Sequence, residues 1–260
     1  MEILFNDSQD AVNRKIRNTD IVCTDLDECL FPFFTQVLVA GEILVEAVFK
    51  KNKWRYIPQL TGGALFILFL TLITFGNIRC IRNEFLMKCF SRTMRGIPLD
   101  LIRKHSRYIH TFFYTESLKL LQYFSARNIP IVILSLSIQP ILDELKQNIG
   151  FIQECIGNGI DINESNNTFE KYTEPIMKDG HDKYDQFISI MNKLGCSRPL
   201  IIGHSDDEIP LVRYAREHNG VSLGINPKKH IAKEFDIVLQ SINWNPIVTY
   251  VENLDQHNNE

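Results

Sequence analysis

Short apolar runs alternate with longer segments of helical periodicity along most of the chain. Five runs are almost wholly apolar, which is typical of buried strands in a parallel sheet; they span residues 21–24, 129–135, 199–203, 221–225 and 236–239. Helical patterns separate them, at residues 98–110, 116–128, 140–148 and 183–194. Because strands alternate with helices, the sequence predicts an α/β fold with a mainly parallel sheet. Residues 160–172 alternate around Asn166-Asn167 and predict a hairpin.

The longest uncharged segment runs from residue 56 to residue 78, within a region of helical pattern that extends from Pro32 to about Arg127. Its length suffices to cross a bilayer, but Gly62-Gly63 and three threonines weaken that interpretation. A single crossing would also separate the first strand from all later ones. Basic residues at both ends favour an element in the membrane surface. Packing within the protein or against another subunit is the main alternative, and spanning is the least favoured.

The composition, with 45% hydrophobic and 23% charged residues in 260, is that of a folded protein. This length suits one core with an insertion or two modest domains. The six cysteines include no CxxC pair, which argues against a zinc site or a disulfide framework and favours a reducing compartment. Residues 1–20 are polar and charged, so no signal peptide is expected.

Charge is distributed unevenly along the chain. Residues 50–104 contain eleven Lys and Arg against Glu84 and Asp100, a net charge of +9, so the other residues carry −12 to give the total of −3. We expect peripheral contact with an anionic membrane through residues 50–104. A solvated basic face is the alternative, and no nucleic-acid partner is expected.

Polar side chains directly follow three of the predicted strands. Asp25 and Asp27 follow the first, Ser135 ends the second, and the acidic run 204–208 follows Gly203. Open α/β sheets bind ligands at the carboxyl ends of their strands. The carboxylates of Asp25 and Asp27, one residue apart, repel each other unless a cation or a proton lies between them. The pattern therefore predicts one polar site at this edge, although a serine and acids at such positions also act as helix N-caps.

The order Asp-x-Asp, Ser, Lys and acidic cluster resembles the haloacid-dehalogenase-like (HAD) phosphatases over about residues 21–239. Ile133-Leu134-Ser135-Leu136-Ser137 resembles the second motif of the phosphoserine-phosphatase-like branch. Residues 203–211, Gly-His-Ser-Asp-Asp-Glu-Ile-Pro-Leu, resemble its Gly-Asp-Ser-x-x-Asp-x-Pro-x-Leu pattern, and Ile225-Asn226-Pro227 is also typical of it. The resemblance implies a modified Rossmann-type core, residues 1–32 and 113–260, with a helical cap inserted over residues 33–112.

The resemblance also implies a catalytic role for each matching residue. Asp25 would be the nucleophile that forms an aspartyl phosphate. Asp27 would protonate the leaving alkoxide and then deprotonate the attacking water. Ser135 and Lys183 would bind the phosphoryl group. Lys178 is the alternative lysine for this role. The simpler explanation for Lys183 is a solvated lysine in the first turn of a helix.

The implied metal site departs from the family pattern. Mg²⁺ would be bound by Asp25, the backbone carbonyl of Asp27 and an acid of the last cluster, for which Asp207 and Glu208 are the candidates and Asp206 is an alternative. His204, however, stands where the family has its metal-binding aspartate, and the last acid is Glu208 rather than Asp. Imidazole suits Mn²⁺ or Co²⁺ better than Mg²⁺, so these are the alternative cofactors. Protonated imidazole repels cations, so we expect activity to fall below about pH 6.5.

Three functions remain open. The first is a Mg²⁺-dependent phosphomonoesterase acting on a lipid-linked phosphate at a membrane surface, because lipid-phosphate phosphatases of this branch carry a similarly apolar, basic cap. The second is a phosphatase of a small soluble metabolite such as phosphoserine. The third is a catalytically weak relative that binds phosphate ligands or membranes, since Glu28 and Cys29 replace the usual small residue and threonine after Asp-x-Asp. A cytoplasmic location, peripheral on the inner face of the membrane, is expected.

Overall fold

The computed structural model describes residues 3–73 and 83–256. Within these residues, seven strands form one sheet in the order β1-β9-β8-β7-β2-β3-β4. The strands are β1 (Ile3–Phe5), β2 (Ile21–Thr24), β3 (Ile131–Ile138), β4 (Glu154–Asn158), β5 (Ile160–Asn163), β6 (Thr168–Tyr172), β7 (Pro199–Gly203), β8 (Val221–Ile225) and β9 (Ile237–Leu239). β1 is antiparallel to β9, the other pairs in this sheet are parallel, and β5 and β6 form a separate hairpin. The predicted α/β class is confirmed.

The helices lie between these strands. Those in the described residues are α1 (Gln9–Arg17), α2 (Thr35–Phe49), α3 (Ile57–Ile73), α4 (Asn83–Met94), α5 (Leu99–Ser106), α6 (Thr115–Ser125), α7 (Gln139–Asn148), α8 (Gly180–Leu194), α9 (Ile209–Glu217) and α10 (Asn245–Gln256). Short 3₁₀ turns cover Lys51–Tyr56, Ile109–Phe112, Asp206–Glu208 and Ala232–Glu234. The predicted helix over 98–110 therefore ends early, and its last residues belong to a 3₁₀ turn.

The central strands are covered on both faces, as their continuous apolar pattern predicts. Successive side chains of a strand point to opposite faces. Accordingly, Val22 of β2 packs into one buried cluster, whereas Ile21 and Cys23 pack into a second cluster on the other face. β3 begins at Ile131, two residues later than predicted, because Pro130 has no N–H to donate to a ladder. β2 is therefore an interior strand, between β7 and β3.

The chain between β2 and α6, which we call the helical segment (residues 33–112), packs largely against itself. α2 contacts α3 and α5, and α3 contacts α4. Contacts of α4 with β6 and of α5 with α7 attach the segment to the rest of the protein. Its position after the first predicted motif is that of the expected cap, and its designation as a cap stays a prediction.

Part of the uncharged segment 56–78 forms α3, whereas residues 74–78 lie outside the described residues. Leu60 of α3 is buried, but Leu65, Leu68, Phe69 and Leu72 each expose more than half of their surface. Among the helices of residues 3–73 and 83–256, none combines the length and the apolar character that crossing a bilayer requires.

Candidate active site

Asp25 lies immediately after β2, at the carboxyl edge of the sheet. Its backbone N–H donates to the carbonyl of Ile202 in β7 at 3.0 Å, so the strand pairing continues to this residue. On the other side, the register pairs Thr24 with Ile133 of β3. Asp25 therefore follows β2, and Ser135, two residues beyond Ile133, lies within the neighbouring strand β3 near the same edge.

Lys183 connects Asp25 with the last motif. It lies in the first turn of α8, because Asp179 caps this helix by accepting from two backbone N–H groups. Its Nζ lies 2.8 Å from Asp25 Oδ1 and 2.7 Å from Glu208 Oε1, and its side chain is only 3% exposed. Burial opposes the charge on the ammonium group, but the two carboxylates raise the pKa of Lys183 above its usual value. Lys178 is exposed, so the lysine that contacts the proposed nucleophile is Lys183.

The burial of Asp25 alone would raise its pKa. Lys183 and His204 outweigh that effect and lower the pKa of Asp25 to about 2. The carboxyl group of Asp25 is therefore ionised throughout the physiological pH range.

Both carboxylate oxygens of Glu208 accept from protein donors. Oε1 faces Lys183, while Oε2 accepts from the backbone N–H of His204 at 3.2 Å and of Ser205 at 2.9 Å. Oε2 also accepts from Ser205 Oγ at 2.9 Å. The bond from the Ser205 backbone N–H to Glu208 is half of a capping box, which the Ser205 side chain completes by accepting from a backbone N–H of the following turn. The position before His204 must be glycine, because a Cβ on Gly203 would lie 2.4 Å from Glu208 Cγ. Ser205 and Glu208 therefore cap the following turn, which is the alternative role expected for the residues after Gly203.

His204 lies among three carboxylates. Its Nδ1 is 3.4 Å from Asp25 Oδ2 and 3.9 Å from Glu208 Oε2, and its Nε2 is 3.7 Å from Glu28 Oε2. Burial disfavours the charged imidazole, but these carboxylates raise the pKa of His204 to about 10. Nδ1 is buried and has no hydrogen-bond partner among the described residues. Without a metal ion, the imidazolium itself is a cation beside Asp25.

The donor set fits a transition metal better than Mg²⁺. Asp25, His204 and Glu208 each offer a ligand atom within 4.8 Å of the others. Because the oxygens of Glu208 already accept hydrogen bonds, the facing ligand atoms are Asp25 Oδ2 and His204 Nδ1. One carboxylate oxygen and one imidazole nitrogen suit Mn²⁺, Co²⁺ or Zn²⁺, whereas Mg²⁺ prefers oxygen ligands alone. Asp207 lies outside this group, and its Oδ2 accepts from Asn83 Nδ2 at 3.3 Å.

Asp27 lies before the helical segment and contacts its first helix. Its Oδ1 accepts from the backbone N–H of Thr35, the first residue of α2, at 2.9 Å. Removal from water and the nearby Asp25 raise the pKa of Asp27 to about 7, although the hydrogen bonds from Thr35 oppose this shift. A carboxyl group with a pKa near neutrality can both donate and accept a proton at physiological pH.

Ser135 is buried, and its Oγ accepts from the backbone N–H of Ser137 at 3.1 Å. The alternative that Ser135 caps a helix is wrong, because β3 continues to Ile138 and α7 begins only at Gln139. Asp206 is exposed and pairs with Lys228 and His230 instead of with the residues of the site.

Sequence reasoning did not assign a role to Glu28, which the structure places beside His204. Its φ of 57° lies in the left-handed region that glycine favours. The family resemblance implies a small residue, often glycine, at this position. A glutamate at a position where the family has a small residue was therefore the sequence signal that a side chain lies beside His204.

No protein-family model matches the sequence, and neither does any curated protein. Solved structures do match it. A substrate-bound phosphoserine phosphatase has a TM-score of 0.63 at 11% identity, over 90% of this chain and 98% of its own. Cytosolic 5'-nucleotidase IIIB bound to cytidine has a TM-score of 0.67 at 10% identity, over 99% of this chain and 95% of its own.

A HAD-family hydrolase from Salmonella enterica subsp. enterica serovar Typhi has a TM-score of 0.60 at 12% identity, over 84% of this chain and 66% of its own. Identities this low show a common fold and leave the chemistry to the residues themselves. The resemblance predicted from the motifs is thus confirmed in three dimensions: the chain has the fold of the HAD-family hydrolases, with phosphoserine phosphatases prominent among its structural neighbours.

Proposed function

We propose that this protein hydrolyses phosphomonoesters, with Asp25 as the nucleophile. The observation that carries the proposal is the ion pair of Asp25 with Lys183, 2.8 Å apart and buried at the carboxyl edge of the sheet. An ionised carboxylate held in place beside a cation needs mainly correct positioning to accept a phosphoryl group. The names of the structural neighbours, a phosphoserine phosphatase and a 5'-nucleotidase, belong to the same class of reaction.

In the proposed reaction, an Asp25 oxygen bonds to phosphorus as the bond from phosphorus to the leaving oxygen breaks. Asp27 gives its proton to that oxygen, which leaves as an alcohol. Asp27 then accepts a proton from water as the water oxygen attacks the aspartyl phosphate, which releases phosphate and regenerates Asp25. Lys183 neutralises negative charge, and Ser135 donates to a phosphoryl oxygen. A divalent cation held by Asp25 and His204 would add further charge neutralisation.

An assay with a generic aryl phosphate tests this proposal. We expect Asp25→Asn to reduce the hydrolysis rate on the order of 10⁴-fold or more, because the amide is not a nucleophile. Asp206→Asn is the matched control, since Asp206 is an exposed acid that pairs with Lys228 and His230. Equal activity of Asp25→Asn and the unmodified protein would refute the role of Asp25. If no phosphate ester is hydrolysed under any metal condition, the binding-module alternative is favoured.

We also propose that the helical segment is a cap that contacts an anionic membrane and presents a lipid-linked phosphate to the site. Fourteen of the seventeen exposed large hydrophobic residues in the described part of the chain belong to it. Among them, Phe49 and Trp54 adjoin Lys50 and Lys53, a combination typical of membrane interfaces. A phosphatase of soluble metabolites remains the alternative, for which such an exposed apolar surface has no use.

A further inference from the structure

The first turn of α2 is held by groups that lie outside this helix. Phe34, the residue before α2, has an apolar side chain that cannot cap the helix. The backbone N–H of Thr35 donates instead to Asp27 Oδ1 at 2.9 Å. Because the first N–H groups of a helix have no partner within it, Asp27 takes the place of a capping side chain. The position of Asp27 Oδ1 therefore depends on the position of the first turn of α2.

The side chain of Thr35 joins this turn to β3. Its Oγ1 donates to Ser137 Oγ at 3.0 Å, and both residues are completely buried. The backbone N–H of Ser137 in turn donates to Ser135 Oγ at 3.1 Å. A connected series of contacts thus runs from Ser135, the proposed phosphate-binding residue, through Ser137 and Thr35 to Asp27, the proposed acid.

Gln36, the next residue of α2, forms a second attachment to β3. Its Nε2 donates to the carbonyl of Leu136 at 3.1 Å, and its Oε1 accepts from the hydroxyl of Tyr172 at 3.0 Å. The pairing of β3 with β4 shifts register between Leu134 and Ile138. An irregularity of this kind removes backbone groups from the ladder, so the Leu136 carbonyl can accept from a side chain. The first turn of α2 is therefore attached to the part of β3 that contains Ser135.

We propose that Thr35 and Ser137 are positioning residues for Asp27: their hydroxyl contact fixes the first turn of α2, and this turn determines which oxygen of Asp27 carries the proton. The inference rests on the proposed phosphatase function and deepens it. An N–H bond favours the unprotonated state of the oxygen that accepts it, so the proton of Asp27 lies on Oδ2. In the first step the Oδ2–H bond breaks and an O–H bond forms on the leaving oxygen, which takes the electron pair of its bond to phosphorus. Asp27 is then a carboxylate, ready to accept a proton from water.

Leaving groups differ in their need for this proton. p-Nitrophenolate is a weak base and leaves without protonation, whereas the alkoxide of p-nitrobenzyl alcohol is a strong base and needs a proton as it leaves. The two phosphate esters differ by one methylene group, so they have similar size and equal charge. Displacement of Asp27 should therefore slow hydrolysis of the benzyl ester selectively, whereas a general loss of structure should slow hydrolysis of both esters alike.

Three substitutions separate the hydroxyl contact from the rest of the helix. Thr35→Val removes the hydroxyl but retains the backbone N–H and the branched shape of the side chain. Ser137→Ala removes the partner hydroxyl, and Thr35→Ser keeps a hydroxyl at position 35. Ser117→Ala is the matched control, because Ser117 is also completely buried but donates to the carbonyl of Tyr114 at the start of its own helix, α6.

The measured quantity is kcat/KM for phosphate release from each ester, because it reports the steps up to departure of the leaving group. For p-nitrobenzyl phosphate we expect a fall of about tenfold or more in Thr35→Val and in Ser137→Ala, since a misplacement of about 1 Å can cost on the order of 100-fold. For p-nitrophenyl phosphate the fall should be less than about threefold. The double variant should be no slower than either single variant, because both changes remove the same contact. Thr35→Ser and Ser117→Ala should keep the ratio of the unmodified protein.

Equal losses for the two esters, losses that multiply in the double variant, or an equal change of the ratio in Ser117→Ala and Ser137→Ala would overturn the inference and leave the phosphatase proposal intact. Hydrolysis of the aryl ester alone by the unmodified protein would also overturn it. Hydrolysis of neither ester by the unmodified protein would refute the phosphatase proposal, and the inference with it. The failure of the inference alone is thus distinguishable from the failure of the proposed function.

Discussion

Two charge clusters in this molecule have opposite excess charge. At the candidate active site, the ammonium group of Lys183 lies between the carboxylates of Asp25 and Glu208. In the helical segment, the single carboxylate of Glu46 lies among Lys50 at 2.6 Å, Lys53 at 2.9 Å, Lys104 at 2.7 Å and His105 at 2.5 Å. Although the burial of Glu46 opposes ionisation, these donors hold its pKa well below its usual range.

The difference indicates what each region attracts. The site has one ammonium group for two carboxylates, so it favours a further cation, which is the protonated His204 or a metal ion. The cluster around Glu46 has three ammonium groups for one carboxylate, so it favours an anionic surface. Exposure separates them further: the side chain of Lys183 is 3% exposed, whereas that of Lys50 is 54% exposed. Water therefore screens the second cluster more than the first.

The largest effect should come from Lys183→Met. This change leaves Asp25 and Glu208 buried without their cation, so we expect the free energy of unfolding to fall by about 3–5 kcal/mol. Lys193→Met is the control, because Lys193 forms an exposed pair with Glu154 and should contribute less than about 1 kcal/mol. Denaturant unfolding measures both. If both variants lost a similar free energy of unfolding, the buried ion pairs of Lys183 would contribute no more than an exposed, screened pair, and the comparison would fail.

His204→Asp should have the next largest effect, on metal binding. In the unmodified protein Nδ1 must lose its proton before it binds a metal, and the pKa of His204 is raised to about 10 in the metal-free site. Metal affinity should therefore rise with pH up to about pH 10. The raised pKa of His204 replaces the pKa near 6.5 of an unperturbed histidine, on which the expected loss of activity below about pH 6.5 was based. An aspartate supplies a hard oxygen and a negative charge, so Mg²⁺ affinity should increase at least about tenfold.

Calorimetric titration with Mg²⁺ and Mn²⁺ at two pH values checks this prediction for both proteins without any activity measurement. The unmodified protein should bind Mn²⁺ more tightly than Mg²⁺, and His204→Asp should reverse or remove that preference. Tight, pH-independent Mg²⁺ binding by the unmodified protein would show that ligands other than His204 hold the ion.

The sequence predicted the positions of the central strands because each is a continuous apolar run ended by a polar residue. It missed β1 and β4, which lie at the two edges of the sheet, where a strand packs less and its apolar pattern is weaker. It also missed α1 and α10.

The candidate site was predicted less completely than the fold. The pairing of Asp25 with Lys183, 158 residues apart, was expected only through the family resemblance. The approach of Glu28 to His204 and the contacts of Lys104 and His105 with Glu46 join distant segments. No local pattern encodes such contacts.

The smallest effect tests the membrane side of the comparison. Phe49 is 83% exposed and is the last residue of α2, next to Lys50. If this end contacts an anionic surface, the phenyl ring inserts between headgroups while the lysines remain near the phosphates. Phe49→Gln should weaken binding to phosphatidylserine-containing vesicles about fivefold, because partial burial of one ring contributes roughly 1 kcal/mol.

Ile242→Gln is the matched control for Phe49→Gln, since Ile242 is an exposed hydrophobic residue outside the helical segment. Cosedimentation should show equal binding by Ile242→Gln and the unmodified protein, and added salt should weaken both, because each lysine near the surface contributes about 1 kcal/mol that salt screens. Binding that is unaffected by salt and by Phe49→Gln would locate any contact elsewhere, with the exposed leucines of α3 as the next candidate. If the unmodified protein does not bind vesicles at all, the excess positive charge around Glu46 serves solvation alone, and a phosphatase of small soluble metabolites is favoured.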